Sequence, residues 1–92
     1  MRISKEKIEK ISEQILLHLF SITPKAVFTS HIAKELARDE EFIKNLLINL
    51  KEKQLVVEIK KNKEGTQYIR RSRWKLSDKA YNIYKSHQIS HQ

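Results

Sequence analysis

The sequence predicts an α+β domain: three helices, then a basic β-hairpin, then a closing helix. Three observations predict it. Apolar residues recur with a helical period as far as about residue 53 and with a period of two from Leu55 onward. The chain's single glycine, Gly65, closes the run Asn62-Lys63-Glu64-Gly65, where a hairpin can turn and a positive φ is cheap. The charge is also uneven. Of a net +8, residues 60–75 carry seven basic side chains (Lys60, Lys61, Lys63, Arg70, Arg71, Arg73, Lys75) against Glu64 alone.

The first helix is expected over about Lys5 to Phe20, capped by Ser4, with Ile3 and Ile8 placed as a hydrophobic staple. Ile8, Ile11, Ile15 and Leu19 form one buried stripe, Leu16 and Phe20 lie beside it, and Leu17 lies opposite. Leu17 therefore needs another partner, either a second helix of the same chain or a second copy. Pro24 stops the helix, because it pushes Thr23 out of helical geometry. Val27-Phe28-Thr29 reads as a short extended piece. A second helix over about His31 to Arg38 follows, capped by Ser30 or Thr29, with Ile32, Ala33 and Leu36 inward and Ala37 beside them. Asp39-Glu40 turns the chain into a third helix, about Glu40 to Lys53. Its inner face is Phe42, Ile43, Leu46, Leu47 and Leu50, and its acidic start suits the helix dipole.

A strand follows in which Leu55, Val57 and Ile59 alternate with Val56, Glu58 and Lys60. The returning strand is expected over about Thr66 to Leu76, with Tyr68, Trp74 and Leu76 on one face and Arg71, Arg73 and Lys75 on the other. Ser77 caps a last helix, about Asp78 to His87, which offers Ala80, Tyr81, Ile83 and Tyr84 for packing. Residues 88–92 are expected to fray, leaving one domain over 1–92 with its core in about 5–87.

Composition removes several classes of function. Ninety-two residues allow one domain and one core, and the absence of cysteine excludes disulfide frameworks, thiolate zinc sites and cysteine nucleophiles. One glycine cannot build a phosphate-cradling loop. No apolar run reaches the roughly 18 residues of a membrane span, and no signal-peptide stretch opens the sequence. A soluble cytoplasmic protein is expected, nucleoid-associated in a prokaryote, with no membrane partner. Scattered serines without a paired His and Asp give no sign of an enzyme, and no cofactor is expected. His87 and His91 are four apart, as metal ligands can be, but no carboxylate or thiol cluster accompanies them. His18 and His31 read as isolated.

Residues 32–56, IAKELARDEEFIKNLLINLKEKQLV, resemble the helix-turn-helix of winged-helix transcriptional regulators. That pattern has an Ile-Ala pair, a Leu, a turn, and a helix with apolar residues at 0, +4 and +7, followed by a Leu-Val strand start. Here these fall on Ile32-Ala33, Leu36, Ile43, Leu47, Leu50 and Leu55-Val56. WKLSDKA, Trp74 to Ala80, is similar to the same family's aromatic-x-Leu-Thr-x-Lys-Gly junction between wing and last helix. The resemblance covers roughly residues 8–85. It implies a winged helix-turn-helix: a three-helix core, a two- to three-stranded β wing and a C-terminal helix. Two departures stand out. Arg38 replaces an apolar turn residue, and Asp39-Glu40-Glu41 stands where hydroxyl or basic groups commonly face phosphate.

The resemblance places the third helix in a DNA major groove, with Glu41, Lys44, Asn45, Ile48 and Glu52 facing outward. Asn45 has the chemistry to pair with adenine, Lys44 to reach guanine or phosphate, and Ile48 to touch a thymine methyl. Lys60, Lys61, Lys63, Arg70, Arg71 and Arg73 form the cationic wing, whose charge gains most by neutralising phosphates and releasing counterions. Trp74, Tyr68, Tyr81 and Tyr84 are expected in the core or an interface, with Leu17, Phe20, Tyr81 and Tyr84 as dimer contacts. The expected function is therefore a duplex DNA-binding transcriptional regulator acting as a homodimer. Two alternatives stay open: a non-specific architectural DNA protein, and a winged-helix module that binds a protein partner in a transcription, replication or RNA-handling assembly.

Overall fold

The computed structural model describes residues 4–60 and 71–90. In chain order these form α1 (Lys5–Ile22), β1 (Val27–Phe28), α2 (Thr29–Leu36), α3 (Glu40–Glu52), β2 (Val56–Ile59), β3 (Arg73–Leu76) and α4 (Asp78–Ser90). The strands make an antiparallel sheet in the order β1-β3-β2. The expected α+β architecture is therefore present, with β1 extending the hairpin to three strands.

α1 starts where the sequence places it, with the Ser4 hydroxyl accepting from Lys7 N at 3.2 Å. It runs two residues past Phe20, because Thr23 is the first residue with extended geometry (ψ 138°). The Thr23 hydroxyl donates back to the Leu19 carbonyl, so the end is hydrogen-bonded. Ile3, and with it the proposed staple, lies outside the described residues.

α2 departs from expectation at both ends. It begins at Thr29 and not at His31, Phe28 occupies the capping position, and no side chain caps it. Thr29 is already the first helical residue, and its hydroxyl oxygen accepts the Trp74 indole N–H at 2.8 Å. α2 ends at Leu36 and not at Arg38, since Ala37 turns left-handed (φ 54°, ψ 47°). Ala37 N then donates to Lys34 O and Arg38 N to Ala33 O, the paired bonds of a Schellman ending. Arg38 occupies the position that is usually apolar in this motif, and it is exposed.

α3 closes in the same way. Gln54 has φ 64°, Gln54 N donates to Lys51 O, and Leu55 N donates to Leu50 O. Here the apolar residue is present, and Leu55 packs partly buried against the core. Asp39 caps the start of α3, its carboxylate accepting from Phe42 N at 3.1 Å.

The core lies between the three helices and one face of the sheet. Ile11, Ile15, Leu16 and Leu19 of α1 meet Ile32 and Ala33 of α2 and Ile43, Leu46, Leu47 and Leu50 of α3. The register puts Val27, Val56, Glu58, Trp74 and Leu76 on the inner sheet face, and Phe28, Val57, Ile59, Arg73 and Lys75 on the outer. The apolar set Leu55/Val57/Ile59 is thus not the buried face of β2: Val56 is buried and Val57 is exposed. Trp74, only 1% exposed, anchors the centre of the sheet. Burying an indole of this size contributes on the order of 2–3 kcal/mol.

The described part of the returning strand starts at Arg73, so Arg71 and Ser72 precede it as coil; Thr66 to Arg70 and the Asn62–Gly65 turn lie outside the described residues. α4 continues to Ser90, past the expected end at His87. Gln88, Ile89 and Ser90 contain no helix breaker to stop it. The Ser77 hydroxyl accepts from Ala80 N and donates to Gln54 O, so it both caps α4 and ties it to the end of α3.

Candidate nucleic-acid interface

The outward side of α3 is uncovered. Glu41, Lys44, Asn45, Ile48 and Glu52 are all exposed, while Ile43, Leu46, Leu47 and Leu50 hold the other side in the core. Ile48 stands out as an aliphatic side chain 42% exposed on a polar face. The acidic start of the helix is partly accounted for. Asp39 serves as the cap, and Glu40 and Glu41 project from the first turn into solvent.

The root of the hairpin is tied to the last turn of α3 by the Lys51–Glu58 contact. Lys60 and Arg71 are exposed there, with Arg73 and Lys75 half-buried. Lys61, Lys63 and Arg70 of the predicted wing lie outside the described residues, as does Tyr68. Arg71 does not simply project: its guanidinium carbon lies 5.4 Å from the centroid of the Phe28 ring, a cation–π contact that holds it over β1.

Glu58 is the feature that sequence reasoning missed. Its side chain, 14% exposed, occupies the last inward-facing position of β2. One oxygen lies 2.7 Å from Lys51 Nζ on α3. The other accepts the Ser72 hydroxyl at 2.5 Å and lies 4.0 Å from Lys60 Nζ. Burial alone would raise the Glu58 pKa, but the hydrogen bonds from Lys51 and Ser72 and the charges of Lys51 and Lys60 outweigh it, holding the carboxyl below its ordinary value. The signal that could have found it is a carboxylate at an inward position of a period-two strand, a place that demands partners.

Of the aromatic residues expected to pack, Trp74 is buried and Tyr81 and Tyr84 are half-buried, while Tyr68 lies outside the described residues. Phe20 of α1 lies 5.7 Å from Tyr81 and 5.6 Å from Tyr84 of α4, ring centroid to ring centroid. The Tyr84 hydroxyl donates to Glu13 Oε1 at 2.9 Å. Burial first, and then the Glu13 bond and charge, push the Tyr84 phenol up to about 12. Three of the four expected dimer contacts thus touch one another within the chain, while Leu17 is 48% exposed. His18 and His31 are not isolated: their rings stack with centroids 5.8 Å apart, joining α1 to α2. No cluster of three or more metal-ligating side chains occurs among the described residues. His87 is exposed and His91 lies outside them. No described helix is long and apolar enough to cross a membrane.

Helix, short strand, helix, tight turn, helix and a hairpin packed on the third helix together define a winged helix-turn-helix. No protein-family model matches the chain, and no curated protein does. Solved structures do. The S. aureus MepR–DNA complex superposes with a TM-score of 0.71 at 22% identity, over 90% of this chain and 65% of that one. An apo-form variant of Lactococcus lactis ZitR gives 0.70 at 23% identity, over 94% and 60%. A MepR variant from a multidrug-resistant S. aureus clinical isolate gives 0.68 at 22%, over 84% and 53%. The chain therefore spans between 53 and 65% of the length of these proteins.

Proposed function

We propose that this chain is a duplex DNA-binding domain of a transcriptional regulator, working in the cytoplasm as a homodimer. One observation carries the reading: α3 presents Lys44, Asn45 and Ile48 to solvent on a helix buried along its opposite side, and its last turn is tied through Lys51 and Glu58 to the hairpin root, where Lys60 and Arg71 are exposed. A helix presented in this way fits a major groove, and the three side chains offer an amide pair for adenine, a cation and a methyl contact. Hairpin cations then hold the sugar-phosphate backbone. The likeness to a protein crystallised with DNA supports the same reading. Leu17, exposed on α1 beside the Phe20–Tyr81–Tyr84 cluster, is the residue proposed for the contact between copies.

Neutralising Lys61, Lys63, Arg70 and Arg71 together tests this. The slope of log affinity against log salt is expected to flatten by about 3.6, at roughly 0.9 for each of the four phosphates that no longer meet a cation. An unchanged slope removes the hairpin from the interface. A second reading, binding led by the backbone without sequence preference, is favoured by Glu40 and Glu41 at the exposed start of α3. Equal affinity for a random duplex and for one selected from a random pool would establish it.

A further inference from the structure

We propose that Glu58 is a positioning residue of the DNA interface, clamping the root of the hairpin to the end of α3 through Lys51 and Ser72. This rests on the DNA-binding reading. The carboxylate joins three segments at once: Lys51 from α3, Ser72 from the approach to β3, and its own strand β2. It pairs across the sheet with Trp74, the large core residue nearest the point where the hairpin leaves the body. Toward the core, packing of Val56, Trp74 and Leu76 fixes the strands. Toward the tip, the last inward-facing position on β2 is held by ionic and hydroxyl contacts. Although Lys51 is 51% exposed, Glu58 itself is 14% exposed and takes a second hydrogen bond from Ser72, and two donors on one carboxylate fix direction better than a lone surface ion pair does.

The arrangement is costly for a protein that binds a polyanion. Glu58 places a negative charge beside Lys60 at the start of the hairpin and engages Lys51 of α3, a cation that phosphate would otherwise attract. On electrostatics alone, removing that charge strengthens DNA binding. A clamp predicts the opposite, because a hairpin released from α3 loses the fixed spacing between groove-reading face and backbone contacts.

The experiment compares full-length wild type, E58Q, S72A, K51M and the E58Q/K51M double variant on one duplex at about 100 mM salt, with melting curves as a control for folding. E58Q is expected to bind about tenfold more weakly although it removes a negative charge, by the scale of hydrogen bonds to charged groups. S72A changes no charge and is expected to bind about threefold more weakly, so electrostatics has nothing to act on there. In the K51M background, E58Q is expected to add little, since the clamp is already open. Tighter or equal binding by folded E58Q, with S72A unchanged, overturns the proposal and leaves the DNA reading standing. Wild type that fails to bind any duplex at about 50 mM salt overturns both.

Discussion

The indole of Trp74 donates its N–H to the hydroxyl of Thr29 at 2.8 Å, joining the central strand to the first turn of α2 across 45 residues. The bond satisfies a donor carried into the core on a side chain that is 1% exposed. Replacing Thr29 with Val keeps the shape and removes the acceptor. An unpaired buried donor costs about 1–2 kcal/mol. The T29V denaturation midpoint should fall accordingly with an unchanged m-value; an unaltered midpoint would mean water reaches the indole.

The turn between α2 and α3 rests on Ala37 at φ 54°. A Cβ in that region is disfavoured by about 1 kcal/mol, and glycine escapes the penalty while leaving the unfolded chain less restricted. Ala37→Gly is therefore expected to stabilise the domain by about 0.5 kcal/mol, read as a higher melting temperature. A lower one would show that chain entropy outweighs the strain.

Asp39 has separable roles as cap and as charge. Asp39→Ala removes the acceptor for Phe42 N and is expected to cost about 1 kcal/mol of stability. Asp39→Asn keeps an acceptor and should cost only a few tenths. If the start of α3 approaches phosphate, D39N should also bind duplex DNA a few-fold more tightly at low salt. Identical affinities for D39N and wild type would place that end of the helix away from the backbone.

Tyr84 gives a pH dependence. Its phenol is raised from 10.0 to about 12 in the folded chain, so folded and unfolded forms are equally protonated below pH 10. Between about 10 and 12 the unfolded chain loses that proton while the folded chain keeps it, and stability falls across that window. An ultraviolet titration should show a late tyrosine ionisation that Y84F abolishes. A wild-type titration that Y84F leaves unchanged would refute the Tyr84–Glu13 contact.

Helix cores were legible because their pattern is local. Ile11, Ile15 and Leu19, and likewise Ile43, Leu47 and Leu50, fall at helical spacing whatever lies across from them. What the sequence left unread depended on contacts between distant segments. α2 starts at Thr29, whose hydroxyl meets Trp74, a residue 45 positions further on. The buried face of β2 was ambiguous because Val56-Val57-Glu58-Ile59 offers apolar groups on both sides. The choice puts a carboxylate inward, which is tolerable only with Lys51, seven residues before it, and Ser72, 14 after it. His18 and His31 meet only because α1 and α2 pack together. At the interface, the exposed face of α3 was readable as the complement of its apolar stripe. The three-way junction at Glu58 has no such periodic signature.

The chain has a single tryptophan, and it sits beneath the strand that leads out of the hairpin. Its emission therefore reports on one place only, the seam between sheet and helices. A ligand or partner that pulls the strand from its bed would admit solvent to the indole and shift the fluorescence to longer wavelength. The protein thus carries an intrinsic optical gauge, usable without any added dye.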